Sequence, residues 1–392
     1  MKNHIVTLLC CAFSTVVFAH ENQQSSAQPD SIVVKTAVTF RSDEAYPTDQ
    51  VWQLPGVLMG GEALPVEQGA SLDDVQLLGH LNVQERYFVS AKVGAHSHDG
   101  ATEVELENLW FGVSAELLDQ PLLFELGKMS TKVTPTANFH ASGGAFSESP
   151  LLADVFFGRH FIDIGGRASS NIYGLILGVE IWNGDNWPAT SGDGAASLYI
   201  HYPYKKGGLN AQLGSWLMSS RAESRTDQRY QGGHSHGDEQ LSASDLEFTG
   251  DTLTMGVFAN LQWKFKPIIL NGEFEWIRAD IDAHLVDTTQ SAVFVATQDG
   301  YKLQFGLSLD NHSLQVKYER LVVDNSFTQT SQLFIQSSGL HNQGFEPEKL
   351  AVAWTWDFYQ DFKFRTEWYQ DDSHEQQGSR WSLGLVWQHK LL

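Results

Sequence analysis

The sequence predicts an all-β fold: a transmembrane antiparallel β-barrel of about 16 strands, with short periplasmic turns and long external loops. Three observations predict it. Apolar and polar residues alternate in segments of about ten residues, the per-strand signature of a membrane barrel. The connections between those segments alternate between short and long. Mean hydropathy over the 392 residues is −0.24, which excludes a helical membrane protein but not a barrel with a polar inner face.

The elements follow in order. Residues 1–19 carry Lys2 and then a 15-residue apolar run that ends Val17-Phe18-Ala19. This reads as a signal peptide cleaved before His20, since a membrane-spanning helix needs about 20 apolar residues. Both cysteines, Cys10 and Cys11, lie inside it. The mature chain therefore has no cysteine, which excludes disulfide scaffolds, Cys-based zinc ribbons and iron–sulfur sites. Its formal charge moves from −22 to −23 as Lys2 is lost. Residues 20–30 read as a flexible lead-in, and 31–392 as the barrel.

Strands are expected near 31–40, 72–81, 85–95, 102–114, 121–129, 159–168, 172–182, 195–203, 209–218, 251–265, 268–280, 300–309, 313–323, 349–358, 362–370 and 380–390. In Tyr301-Lys302-Leu303-Gln304-Phe305 the odd positions are apolar, and Trp381, Leu383, Leu385 and Trp387 share one face near the end. Short turns fall at Leu118-Asp119-Gln120, Ser169-Ser170-Asn171, 204–208, Asp310-Asn311-His312 and Tyr359-Gln360-Asp361. Long loops fall at 41–71, 130–158, 183–194, 219–250, 281–299 and 324–348. A soluble sandwich has no reason to gather its long loops at one end. At about 23 residues for each strand with its connection, the mature chain fits sixteen strands, a size that leaves an aqueous channel. It is too short for the ~22 strands and plug of a TonB-dependent transporter.

Composition narrows the function classes. Asp and Glu exceed Lys and Arg by 47 to 25, so the chain repels phosphate and binds no nucleic acid by charge. No G-x-S-x-G, P-loop or H-E-x-x-H occurs in the mature chain, and no enzyme activity is expected.

A central block resembles the phosphate-selective porin O/P superfamily of trimeric outer-membrane porins. It runs Val104-Glu105-Leu106-Glu107-Asn108-Leu109-Trp110-Phe111-Gly112, Phe124-Glu125-Leu126-Gly127-Lys128, Phe157-Gly158-Arg159, Asp163-Ile164-Gly165-Gly166-Arg167 and Gly178-Val179-Glu180-Ile181-Trp182-Asn183-Gly184-Asp185. The match covers about 80 residues. The stretch Gln53-Leu54-Pro55-Gly56-Val57-Leu58-Met59-Gly60-Gly61-Glu62 is similar to a first loop of proteobacterial zinc-regulated outer-membrane proteins. The resemblance implies a homotrimer in the bacterial outer membrane and a third loop folded into the lumen. At that constriction it points to Lys128, His140, Glu148, Arg159 and Arg167. The chain departs from the family in lacking a basic excess, so phosphate selectivity is not carried over. It also ends on Leu391-Leu392 rather than an aromatic residue.

The histidines suggest a metal. His96-Ser97-His98-Asp99 and His234-Ser235-His236-Gly237-Asp238-Glu239 fall in the second and fifth external loops. Residues two apart in an extended segment face one way, and imidazole with carboxylate suits Zn²⁺. Polar loops contain histidine in any case, and Ca²⁺ on the same acids is a competing assignment. His284, His341 and His374 fall in the sixth, seventh and eighth loops. Glu103, Glu105 and Glu107, and Glu273 and Glu275, alternate with apolar residues and are expected to line the lumen, where carboxylates favour cations. Trp276, Trp354, Trp356, Trp368, Trp381 and Trp387 are expected in interfacial girdles.

These features imply a porin-like channel for passive passage of small solutes, cation-biased, with zinc as transported or loop-bound ion and no cofactor required. The alternatives are a closed barrel whose loops bind metal, lipopolysaccharide or a partner protein, and an anion-selective porin.

Overall fold

The computed structural model of the chain describes residues 30–46, 52–98, 101–117, 120–190, 192, 194–226, 246–287, 290–342, 344–374 and 378–392. The expected signal peptide lies outside the described residues. The strands are β1 (Ser31–Arg41), β2 (Gly69–Val83), β3 (Tyr87–His98), β4 (Ala101–Leu117), β5 (Gln120–Ser130), β6 (Ile162–Ile172), β7 (Leu175–Trp182) and β8 (Ala195–Lys206). They continue as β9 (Leu209–Arg225), β10 (Glu247–Phe265), β11 (Ile268–Val286), β12 (Ser291–Leu309), β13 (His312–Thr328), β14 (Glu348–Tyr359), β15 (Phe362–Asp372) and β16 (Gly378–Lys390). Each pairs antiparallel with its sequence neighbours, and β1 closes on β16 from Val33↔Lys390 to Arg41↔Ser382. The sixteen-stranded antiparallel barrel expected from the sequence is the fold.

One end carries turns of two or three residues and the other carries eight loops, here L1 (42–68), L2 (99–100), L3 (131–161), L4 (183–194), L5 (226–246), L6 (287–290), L7 (329–347) and L8 (373–377). Three connections differ from expectation. L2 is only two residues, so His96 and His98 belong to β3, where they pair with Glu103 and Ala101. The turn expected at Ser169-Ser170-Asn171 sits at Tyr173-Gly174, where both residues have positive φ (51° and 87°) and Asn171 Oδ1 accepts from Gly174 N at 3.0 Å. Residues 281–299, expected as a loop, are mostly strand, which places His284 on β11.

The third difference has a physical cause visible along β11. Its inward face reads Glu273, Glu275, then Ile277, Ala279, Ile281, Ala283 and Leu285, while its outward face reads Phe274, Trp276, then Arg278, Asp280, Asp282 and His284. Ile277, Ala279, Ala283 and Leu285 are buried, whereas Phe274 is exposed. Below Trp276 the barrel is polar inside and apolar outside, as lipid demands. Above it the polarity inverts, because the wall stands clear of the membrane and packs on loops. A pattern scan for one phase stops where the phase flips.

Those loops fill the outer half of the barrel. L3 carries helix α1 (Leu151–Phe157), every residue of which is buried, and L7 carries α2 (Gln332–Ser337). Leu54, Val57 and Met59 of L1 join Leu152, Phe156 and Phe157 of α1 and the inward Trp216, Phe258 and Leu321 of the wall in one apolar cluster. L1 crosses L3 where Gly61 (φ 64°) meets Gly158 (φ 57°), the left-handed C-cap of α1, and Glu62 N donates to Gly158 O at 2.9 Å. A Cβ on Gly158 would lie 2.8 Å from Gly60 O, so glycine is required there.

Helix α1 reaches the wall at Gly300 of β12, where a Cβ would stand 2.6 Å from Phe156 and 3.1 Å from Leu152. Gly300→Val is expected to cost about 1–3 kcal/mol by overpacking. The readout is a lower temperature of heat-modified mobility on denaturing gels. Gly79→Ala, which meets nothing within 4 Å, should leave that temperature unchanged.

Candidate functional site: the permeation path

The lumen is organised by L3, and L3 is held by carboxylates of the inner wall. Burying a carboxylate is costly unless donors surround it, and L3 brings the donors. Glu180 of β7 accepts from Thr131 Oγ1 at 2.6 Å and from Lys132 N at 2.8 Å. Glu275 of β11 accepts from Thr134 Oγ1 and Thr136 Oγ1. Glu367 of β15 takes the backbone N–H and hydroxyl of Ser147. Arg365 donates to Ala141 O at 2.9 Å, and Asp74 of β2 accepts from Ser142 N at 3.0 Å. Glu148 of L3 reverses the polarity: it is 2% exposed and meets Arg380 (Nε, 2.7 Å) and Lys349 (2.7 Å). Burial alone would raise its carboxyl, yet those two cations hold it well below the usual range.

Two open spaces flank L3. Beneath it, a cavity of about 310 Å³ runs to the short turns at Pro267 and Asp310 and to Lys363 at the start of β15. Its lining includes six lysines and three carboxylates. Above, against β2–β4, lies a recess of about 20 Å³, room for about one water or ion. The two spaces share Phe139 and His140, so the candidate constriction is where this part of L3 separates them beside the β2–β4 wall. There Lys92 Nζ donates to His140 Nε2 and pairs with Glu107 at 2.7 Å, while His140 stacks on His160 at 4.6 Å. Burial, and then Lys92 and His160, lower the His140 pKa well below its ordinary value, so the ring is neutral and can accept that bond.

The expected residues separate in this geometry. His140 lines both spaces and Arg159 lines the recess. Glu148 is a buried anchor rather than a lumen group. Arg167 is also buried, pairing with Glu125 at 3.0 Å and Glu180 at 2.8 Å beneath the root of L3. Lys128 is not at the constriction: alternation from the inward Glu125 turns it outward, between Leu109 and Ile164, both exposed. Glu105 and Glu107 line the recess and Glu273 the lower cavity, but they form no bare ring. Glu107 is matched by Lys92, and Glu273 and Glu275 by Lys302 at 3.6 and 3.2 Å. Asp99, His234, His236, Asp238 and Glu239 lie outside the described residues, and Glu103, His96 and His98 are defined by strand pairing only. Among the described residues no three His, Asp or Glu side chains form a ready metal shell.

Sequence reading missed Asp73, Asp74 and Glu180, although one signal was present. Asp73-Asp74 and Glu107-Asn108 break the alternation of their strands, and both mark bulges. A bulge turns two successive side chains the same way, which puts all four residues inside.

The barrel exterior is apolar around its circumference: Leu77, Phe111, Leu198, Leu217, Phe305 and Leu385 are all exposed. Trp354, Trp356 and Trp387 lie toward the short-turn end, and Trp276, Trp368 and Trp381 toward the loops. Only a bilayer covers such a surface. The fold is that of an outer-membrane porin-type barrel. Similar solved structures include OprB of Pseudomonas putida (12% identity, 92% of this chain and 94% of that one, TM-score 0.54). Others are an OmpT of Vibrio cholerae with loop L8 deleted (12%, 92% and 98%, 0.52) and the outer-membrane channel DcaP of Acinetobacter baumannii (12%, 92% and 96%, 0.50). No protein-family model matches the chain, and no curated protein matches it. The apolar exterior calls for a bilayer, and the outer-membrane barrels that share the fold place the chain in the outer membrane.

Asp154 of α1 offers a pH test of the loop. Burial pushes its carboxyl from 3.8 up to about 6, with Ser149, Arg159 and Lys349 opposing and Glu319 adding to the rise. The folded state then holds a proton that the unfolded state has released, so stability is greatest below about pH 4 and falls as pH rises through 6. Asp154→Asn should match the parent near pH 4 and exceed it by about 3 kcal/mol at pH 8. Thermal unfolding in detergent at the two pH values checks this.

Proposed function

We propose that the chain is a porin-like outer-membrane channel that passes small ions and solutes passively, with a cation bias set at its outer mouth. The charge of the loops carries this reading. The seven loops other than L3 contain fifteen Asp and Glu and one Lys or Arg, Arg229. L1 alone has five acids and no base. Inside, by contrast, lysines stand beside carboxylates, as at Lys302–Glu273 (3.6 Å) and Lys363–Asp357 (4.0 Å). The paired interior adds little net field, so the mouth sets the sign. It is a channel and not an enzyme.

The finer proposal is divalent-metal uptake, zinc foremost, with His96, His98, His234 and His236 concentrating the ion. Both His-x-His motifs sit at the loop end of the barrel in sequence. A homotrimer is proposed as well. The trimer form of Vibrio cholerae OmpT shares the fold (10% identity, 92% of this chain and 100% of that one, TM-score 0.50). The wall is lowest at β5–β7, where Leu126, Ile164 and Ile181 are 56–69% exposed and offer an apolar contact. One observation favours a closed barrel instead: Phe139 and His140 line both spaces and stand between them.

Planar-bilayer recording decides between them. Discrete steps are expected, with a reversal potential that reports cation preference in a KCl gradient. The preference should grow severalfold as salt falls from about 1 M to about 0.05 M, because exposed loop charges are screened. Asp43→Asn with Glu44→Gln and Glu67→Gln should weaken it. Anion selectivity would refute the mouth as the selector, and an absence of steps would establish the closed barrel.

A further inference from the structure

The recess above the constriction collects carboxylates from L1 (Glu62), β2 (Asp73, Asp74) and β4 (Glu105, Glu107) around His140 and His160, with Arg159 as its one lining Lys or Arg. Two details go beyond an acidic cluster. The first is a clash of lone pairs. His160 Nε2 hydrogen-bonds Phe139 O, and a carbonyl oxygen only accepts, so Nε2 carries the hydrogen. In the neutral ring Nδ1 is then an acceptor, yet it faces Glu62 Oε2 at 3.3 Å. Two acceptors at that distance call for a proton or a metal cation between them. The second is Asp74, 7% exposed, whose Oδ2 takes Ser142 N–H while its buried Oδ1 has no hydrogen-bond partner.

The spacing suits a metal. Zinc–nitrogen and zinc–oxygen bonds of about 2.0–2.2 Å at a tetrahedral angle of about 109° place the two ligand atoms about 3.3 Å apart. Imidazole with carboxylate is a donor set for borderline divalent ions rather than for Ca²⁺ or Mg²⁺. We propose that His160 Nδ1 and Glu62 Oε2 form a two-ligand transit site for a zinc-class divalent cation, one step outside the Phe139–His140 constriction. The remaining positions keep water, which Asp74 and its neighbours accept from. Two protein ligands hold an ion weakly, as a conducting site requires. The ion also ties L1 to L3 across the Gly61–Gly158 crossing. This inference rests on the channel reading for its role in conduction, but the site itself does not.

The test uses the full chain, folded in detergent and in planar bilayers, with ZnCl₂ as probe. Calorimetry at neutral pH should show a zinc-binding step that His160→Ala and Glu62→Gln each weaken at least tenfold, with CaCl₂ unable to compete. Glu62 is half exposed on L1, so Glu62→Gln guards against a folding defect in the histidine variant. Zinc should block the potassium current, and both variants should raise the half-blocking concentration by a similar factor. Equal zinc binding by the parent and both variants would overturn the site and leave the pair bridged by a proton alone. If no current flows, the channel reading fails while the calorimetric comparison still decides the site.

Discussion

Three buried carboxylates of the inner wall, Glu180, Glu275 and Glu367, each accepting hydrogen bonds from the third loop, are the constraint on which the rest of the structure depends. Glu180, Glu275 and Glu367 stand on strands far apart around the barrel, and each takes hydroxyl or backbone N–H donors from a different part of L3. A carboxylate left unpaired in such a place costs several kcal/mol, so the loop is drawn to visit them in turn. Its seven-residue helix is too short to persist alone. It persists because the anchors on either side deliver it to an apolar wall.

The lumen divides as a consequence. On the tall β9–β13 side, α1 and the apolar residues of L1 and L7 leave a dry core. On the β2–β4 side, the two bulges crowd Asp73, Asp74, Glu107 and Asn108 into the interior, and apolar packing cannot continue there. Among the described residues, open space lies beside those strands and beneath L3. The eccentric path follows from two extra residues, one in β2 and one in β4, as much as from the loop itself.

How much of this was legible in the sequence depends on what each residue answers to. The sixteen strands were legible because lipid imposes one outer phase on every strand, and Tyr301-Lys302-Leu303 or Trp381-Ser382-Leu383 records it directly. The upper parts of β11 and β12 were not, because Ile281, Ala283, Phe294 and Ala296 face loops that are distant in sequence. Lys128 could have been placed, since counting by two from Glu125 turns it outward. Glu148 and Arg167 could not, because a charge in a lumen loop and a charge in a buried anchor look alike until the path of L3 is known. His140 drew attention as a loop histidine, but its neutrality comes from burial and then from Lys92, forty-eight residues away.

The charge balance closes the argument. An acidic chain can be acidic throughout, or neutral within and acidic at one rim. Here Lys92, Lys302, Lys317 and Lys349 each meet a carboxylate on the inner wall or L3, while the external loops have almost no base to match their acids. A fixed field along the whole lumen would trap the ions it attracts. A field confined to the mouth raises their local concentration and then lets go, and within about 10 Å of pore salt screens what remains. In the proposed channel, the fifteen acids of the seven loops other than L3, against one base, make the outer rim the acidic part of the path, and the paired interior lets an attracted cation leave.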